Sequence, residues 1–321
     1  MARVLAARAT LEDNCEMPLP SIALLLAAAV FHALANTLIK QARDKLAFTW
    51  WMLGASSVLG APILFLMQSA DLHGWPIVVA SGALEAVYFV ALTRAYALGD
   101  LSQVYPMARG SAPLFTLLWA ALFLHERPSA LGVTGILSIV LGLYVINLPA
   151  PADWKRPLQS FKHPAARWAL ATGLLISAYS TVDKRGVEYF DPIVYLYLIL
   201  LVGWLALSPQ WLSADRRAAL WGEVRPEVSA ALRSTLPLPV RRRWSRLINV
   251  ALCAALGNAA YVLVLAALRL SPVSYVGPTR EVSVVIGTWI GVRFLGERGG
   301  AFRIMAAGLV VAGILLIAFG G

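Results

Sequence analysis

Two arginines stand where charge is expensive. Arg109 lies within YPMARGSAPLFTLLWAALFLHER at 105–127 and Arg280 within VGPTREVSVVIGTWIGVRFLGER at 276–298, both in runs otherwise apolar enough to enter a bilayer. An arginine facing lipid costs about 2.5–3.5 kcal/mol or more, so each should face other helices or a cavity. A guanidinium offers a planar fork of donors that fits a carboxylate or phosphate, which makes capture of an anionic group one chemistry open to the pair. An internal ion pair with Glu85 or Glu281 is the other. Those two carboxyls are themselves open to two readings, as proton-binding sites or as ionised partners of arginine, and the adjacency of Glu281 to Arg280 favours the second for Glu281.

Spacing supplies further candidates. Ser102, Pro106, Arg109, Pro113, Thr116 and Ala120 recur at alternating intervals of four and three, which puts them on one helical face. Arg280, Val284, Gly287 and Gly291 follow the same rhythm, and Gly287 with Gly291 forms a GxxxG pair suited to close helix packing. Glu281, Ser274 and Thr288 make a polar stripe at seven-residue spacing. Ser81, Glu85 and Tyr88 share a face of one segment, with Asn258 and Tyr261 as the equivalents of Glu85 and Tyr88 in another. His32, Asn36 and Lys40 lie four apart; Ser177, Ser180, Thr181 and Lys184 form a further polar group. Arg109, Arg280, Glu85, Glu281, Tyr88, Tyr261, Asn258, Asn36 and His32 are therefore the candidate binding residues. Pro106 and Pro278 are candidate hinges, because proline frees backbone carbonyls that membrane depth tolerates only beside a cavity or other protein. Tyr105, Trp119, Tyr179 and Trp289 are open to cavity lining or to packing and interfacial anchoring.

The elements that hold these residues follow from composition. Of 321 residues 59% are hydrophobic and 14% charged, where a soluble domain carries about a quarter charged. About ten runs approach the roughly 20 residues needed to cross a hydrocarbon core, near 20–40, 47–68, 75–98, 101–124, 129–148, 166–184, 191–212, 247–268, 272–295 and 301–319. They are continuously apolar rather than alternating, which predicts an all-α integral membrane protein and not a barrel. The polar stretch 1–19 precedes a first span expected to remain as an anchor.

The chain also repeats itself. Ala-Asn-Thr-Leu-Ile-Lys at 35–40 matches Tyr-Ser-Thr-Val-Asp-Lys at 179–184, and Tyr88, Ser102, Pro106, Arg109, Glu126-Arg127 and Gly142 pair in order with Tyr261, Ser274, Pro278, Arg280, Glu297-Arg298 and Gly313. Residues 20–148 and 166–321 form the two copies, joined by a proline-rich linker at 149–165. Five spans per copy is odd, so the copies enter the membrane with opposite orientation, an architecture suited to alternating access at their interface.

The endings LHERPSALGVTGILSIVLGLYVI and LGERGGAFRIMAAGLVVAGILLI, each after a proline-bearing helix, resemble the EamA repeats of the drug/metabolite transporter superfamily. The resemblance covers nearly the whole chain. It implies a ten-helix carrier with a central cavity between its five-helix halves, and it identifies fold far better than cargo. His125 stands where the resembled pattern commonly has glycine. The implied activity is secondary-active or facilitative movement of a small polar metabolite, as an exporter, in a bacterial inner membrane. Opposed charges at Glu85, Glu281, Arg109 and Arg280 suggest a zwitterion such as an amino acid, or an organic anion. A coupling proton is open, as is a monomeric or homodimeric state.

Other classes find little support. Four histidines without HExxH spacing, no GxSxG and no glycine-rich phosphate loop leave a membrane-embedded enzyme without its usual groups, and no metal or cofactor site is expected. A non-transporting membrane subunit remains as a second alternative, disfavoured by the repeat. Cys15 and Cys253 are too few for a disulfide framework. The net charge of +10 fits basic loops beside anionic lipid better than nucleic-acid binding. Basic loops after odd-numbered spans, including RRRWSR at 241–246, place both termini outside by the positive-inside rule, whereas the resemblance implies cytoplasmic termini. The long loop near 213–246 dominates that count, and its ADRRAALWGEV reads as an amphipathic surface helix.

Overall fold

The computed structural model describes residues 17–320 apart from 41, 67–71, 100, 147, 149–151, 153, 156–162, 225–238, 287–288 and 290–299. Among the described residues the longer elements are all helices: α1 (Leu19–Lys40), α2 (Lys45–Gly60), α3 (Trp75–Leu98), α4 (Leu101–Phe123), α5 (Ala130–Ile146), α6 (Pro164–Tyr189), α7 (Pro192–Leu207), α8 (Ala214–Val224), α9 (Pro239–Leu270), α10 (Val273–Thr279) and α11 (Gly300–Gly320). Stretches Lys45–Ile63, Trp75–Leu98, Pro192–Trp211, Leu247–Leu270 and Phe302–Gly320 are long and apolar enough to cross a membrane, and Leu19–Ala35, Met107–Phe123 and Ala130–Ile146 are shorter apolar helices. The chain is an integral membrane protein. Many large apolar side chains, among them Phe65, Leu122, Met305 and Phe319, lie exposed on the outer surface, as a lipid-facing perimeter requires.

Local chemistry sets the helix starts. The Asp44 carboxylate accepts from Leu46 N and Ala47 N, both at 3.0 Å, and caps α2; Asp191 accepts from Ile193 N at 3.0 Å and precedes Pro192 at the first turn of α7. The segment ADRRAALWGEV is indeed a helix, α8. It buries Leu220 and Val224, while its Glu223 accepts from Asp44 N at 2.9 Å. The surface helix is thereby fastened to the entrance of the second span.

Packing follows the repeat. The first and ninth helices, α1 and α9, pair as α3 and α6 do; α3 lies on α7 as α9 lies on α2; α2 meets α7, and α5 meets α11. Exchange of the two copies converts each of these pairings into another or into itself. That is the signature of a pseudo-twofold relation between five-span units, and helix order makes it an inverted one.

The α5–α11 contact shows how close the units come. A Cβ at Gly135 would lie 2.6 Å from the Gly313 carbonyl oxygen, and one at Gly313 would lie 2.5 Å from that of Gly135. Only hydrogen fits between these backbones. Gly313→Val must separate the helices, and overpacking of this kind costs about 1–3 kcal/mol. We expect a lower melting temperature in detergent for this variant, with Gly308→Ala, whose added methyl meets nothing within 4 Å, as a control that melts no lower than the parent.

α10 is where periodicity misleads. Pro278 lies inside this seven-residue helix, which stops at Thr279; Arg280 and Glu281 form a turn before helix resumes at 282–286. Arg280 N donates to the Val276 carbonyl and Glu281 N to that of Pro278, both at 3.0 Å, so the chain tightens after the proline. The helix that was to carry Ser274 and Glu281 on one face is therefore interrupted between them. Ser274 and Glu281 bind different partners, described below. Gly287, Thr288 and Gly291 lie outside the described residues, as do the side chains of Asn36, Ser102, Tyr105 and Pro106.

Candidate functional site

The turn after Pro278 delivers two adjacent charges to different places. Glu281, 1% exposed, receives Arg109 Nη1 at 3.0 Å, and Arg109 Nη2 lies 3.0 Å from His32 Nε2. Arginine only donates, so Nε2 of His32 acts as the acceptor and the ring proton belongs on Nδ1. α1 and α4 of the first copy are thus joined to the second copy by one buried guanidinium. Glu281 is thus the ionised partner of an arginine, but of Arg109 in the other copy and not of its neighbour Arg280, since consecutive side chains do not face each other.

Arg280 is left otherwise. It is 8% exposed, its Nε is buried without a hydrogen-bond partner, and among the described residues its guanidinium makes no hydrogen bond or ion pair. Tyr179 and Tyr261 lie within its electrostatic reach. These rings are part of a small aromatic group in which Tyr179 stands edge-on to Tyr88 at 5.7 Å and to Tyr261 at 6.4 Å between centroids. α3, α6 and α9 contribute one tyrosine each. Glu85 lies within Coulombic range of Arg280 without bonding to it, and its Oε2 is buried and unpartnered.

Sequence reasoning missed the carboxylate at the centre. Asp183 is fully buried and accepts from Tyr195 OH at 2.8 Å, from Ser81 Oγ and from Tyr261 OH. Its position in the sequence signals it, since a charged residue in a span marks function by default. The span was expected to end at 184, which puts Asp183 in its last turn, where a charge is ordinary. α6 instead runs on to Tyr189, which carries Asp183 into the interior. Gly186, one turn later, admits the Tyr195 ring where a Cβ would overlap it.

The other candidates disperse. Asn258 accepts from Ser56 Oγ at 3.1 Å at the α2–α9 contact and does not join the charged group. Lys184 donates to the carbonyls of Leu268 at 2.6 Å and Ser271 at 3.0 Å, closing the end of α9. Ser177 and Thr181 bond carbonyls of their own helix. Trp289 is 55% exposed and belongs to the outer surface; Trp119 stacks at a tilt on Phe123.

Glu126 caps a helix of the opposite copy. Its carboxylate accepts from Val273 N at 2.9 Å, Ser274 N at 3.0 Å and Ser274 Oγ at 2.6 Å, so the first copy holds the start of α10. His125, with φ of 56°, is in the left-handed region and lets Glu126 N return to the Ala120 carbonyl at 3.1 Å. This conformation suits glycine, which explains the residue found there in the pattern the chain resembles.

Two outcomes follow from this geometry. Arg109→Gln strands Glu281 in a dry environment and should lower stability by about 3–5 kcal/mol, whereas Arg280→Gln removes a charge with no bonded partner and should leave the melting temperature unchanged or higher. His125→Gly should raise stability by about 1 kcal/mol by relieving the left-handed backbone. Thermal unfolding in one detergent checks all three variants.

Comparison with known proteins bears on the whole chain. The model of the EamA-like transporter family matches residues 19–148 and 163–319. One crystal structure superimposes with a TM-score of 0.65, covering 92% of this chain and 95% of its own, at 17% identity, a likeness that shows the fold. No curated protein matches this sequence.

Proposed function

The chain belongs to the EamA-like transporter family, and from that premise we propose that it is a secondary-active or facilitative carrier moving a small zwitterion or organic anion by alternating access, with Arg280 taking the cargo's anionic group. The observation that carries this reading is the buried guanidinium of Arg280, which no carboxylate of the described protein engages. A buried charge needs a counter-charge and hydrogen bonds, and here an incoming carboxylate supplies both. Arg109 has its requirement met by Glu281 and His32, so the two arginines divide the roles that sequence left open for each. Glu85 and Asp183 offer negative charge across the same interface, which favours a cargo that also carries an ammonium group. Tyr88 and Tyr179 stand beside these charges with hydroxyls that can donate, whereas the hydroxyl of Tyr261 is committed to Asp183.

The inverted packing supplies the mechanics. A site where α3, α6, α9 and the broken α10 region meet opens to alternate faces as the two copies exchange conformations. The break after Pro278 gives one hinge in this cycle, since proline lacks the N–H that would continue the helix and the chain passes to tighter bonds at the residues proposed to touch cargo. Export as the direction, and a bacterial inner membrane as the location, are parts of the proposal supported by the resemblance of the repeats.

Purified protein in liposomes preloaded with a mixture of amino acids and small carboxylates tests the proposal by counterflow. Wild type should exchange at least one labelled zwitterion or anion. Each hydrogen bond to a charged group is worth about 1.5–3 kcal/mol, so Arg280→Gln should weaken apparent affinity at least about tenfold, with Arg280→Lys intermediate. Full retention of exchange by Arg280→Gln overturns the assignment of that residue.

A further inference from the structure

Asp183 and Glu85 are two buried acids with opposite surroundings. Asp183 receives hydroxyl donors from three helices, Ser81 of α3, Tyr195 of α7 and Tyr261 of α9, and is held as a well-satisfied carboxylate. Glu85 lies one turn along α3 from Ser81, is 8% exposed, and forms no hydrogen bond or ion pair among the described residues; its Oε2 is sealed from solvent altogether. An ionised carboxylate there has no donor on either oxygen among the described residues and no water at Oε2, and a second carboxylate stands within Coulombic range. A neutral carboxyl fits the position. An ammonium group placed between the two acids would satisfy it as well.

Charge balance at the interface agrees. Arg109 cancels Glu281, and Arg280 is offset at longer range by Asp183. His32 serves as an acceptor to Arg109, and the groups within reach of the acids are Tyr179, Tyr195 and Tyr261 from α6, α7 and α9, all neutral, together with the cation Arg280. With a proton on Glu85 the buried cluster is neutral; without it one negative charge is left over.

We propose that Glu85 carries one exchangeable proton in the cargo-free protein and releases it when an ammonium group docks between Glu85 and Asp183, so that the carrier exchanges a proton for cargo. The Glu85 O–H bond breaks, its proton passes to water admitted by the open cavity, and the resulting carboxylate pairs with the ammonium. On the opposite face the ammonium departs and water returns a proton to the same oxygen. The cargo half of this cycle rests on the carrier reading above; the proton on Glu85 does not.

Infrared difference spectroscopy on the purified full chain, without added cargo, separates the two. The carbonyl band of a protonated carboxyl should appear, shift in heavy water, move in protein grown with carboxyl-13C glutamate, and stay in place with labelled aspartate. Glu85→Gln should remove it and Glu281→Gln should keep it. Labelling needs no substitution, so the result stands even if a variant fails to fold. Absence of the band, a shift with labelled aspartate, or survival of the band in folded Glu85→Gln each overturns the proposal. Addition of the amino-acid mixture in weak buffer with a pH indicator should then release about one proton per protein bound, bleaching the band. If thermal stabilisation shows binding and the band persists, proton exchange is refuted while the carrier reading survives; if the mixture neither binds nor exchanges, the zwitterion reading fails and the Glu85 band is judged by itself.

Discussion

The bond network of Arg109 with Glu281 and His32 is the constraint around which the interior is arranged. It is buried, it joins α1 and α4 to the second copy just after the break in α10, and it uses both terminal nitrogens of one guanidinium. Away from water such a pair must be kept whole, since loss of either partner exposes the other to an apolar surrounding. The position of the Pro278 turn, the direction of Arg280 and the shape of the space beside it all depend on where Glu281 is held. A carrier that rocks about this interface must keep the network closed or replace it in concert, which makes it a natural register mark between conformations.

Around that anchor the two copies have diverged in what they do. Both carry an arginine in the first half of their fourth span, yet the first is consumed in structure and the second is left without a bonded partner among the described residues. Both carry a Glu-Arg ending, and in the first copy Glu126 reaches across to cap α10 in the other. The capping contact and the ion pair lie at opposite sides of Pro278, so the short helix is gripped at its start and again just beyond its end by the first copy. This arrangement concentrates freedom at the proline turn. Asymmetry at Glu85 and Asn258, matched positions with different chemistry, places a chargeable acid on one side and a helix-packing amide on the other.

Much of this was legible in the residues alone. Continuous apolar runs require helices in lipid, because backbone groups there have no other partners, and the matched Pro, Arg and Glu-Arg positions disclose the repeat before any contact is seen. The buried faces of α4 were readable from three-and-four spacing, and Arg109, Thr116 and Ala120 are buried as that pattern requires. Asp183 was illegible for a specific reason: the charges Asp-Lys-Arg resemble a span end, and only the helix's continuation to Tyr189 shows that Lys184 closes α9 while Asp183 turns inward. Glu281 was legible as the ionised partner of an arginine, but the choice of Arg109 over the neighbouring Arg280 rests on contacts between the two copies that the sequence does not display.

Composition and periodicity determined the lipid setting, the helical class, the paired copies and the short set of residues able to bear charge inside. Those properties are local or statistical, set by transfer free energy and by the 3.6-residue turn. Which arginine is paired, which acid is caged by hydroxyls and which stands alone were decided only in the tertiary structure. Each depends on distances between helices far apart in the chain, and a buried charge takes its role from the partners that packing brings within about 3 Å, not from its own identity.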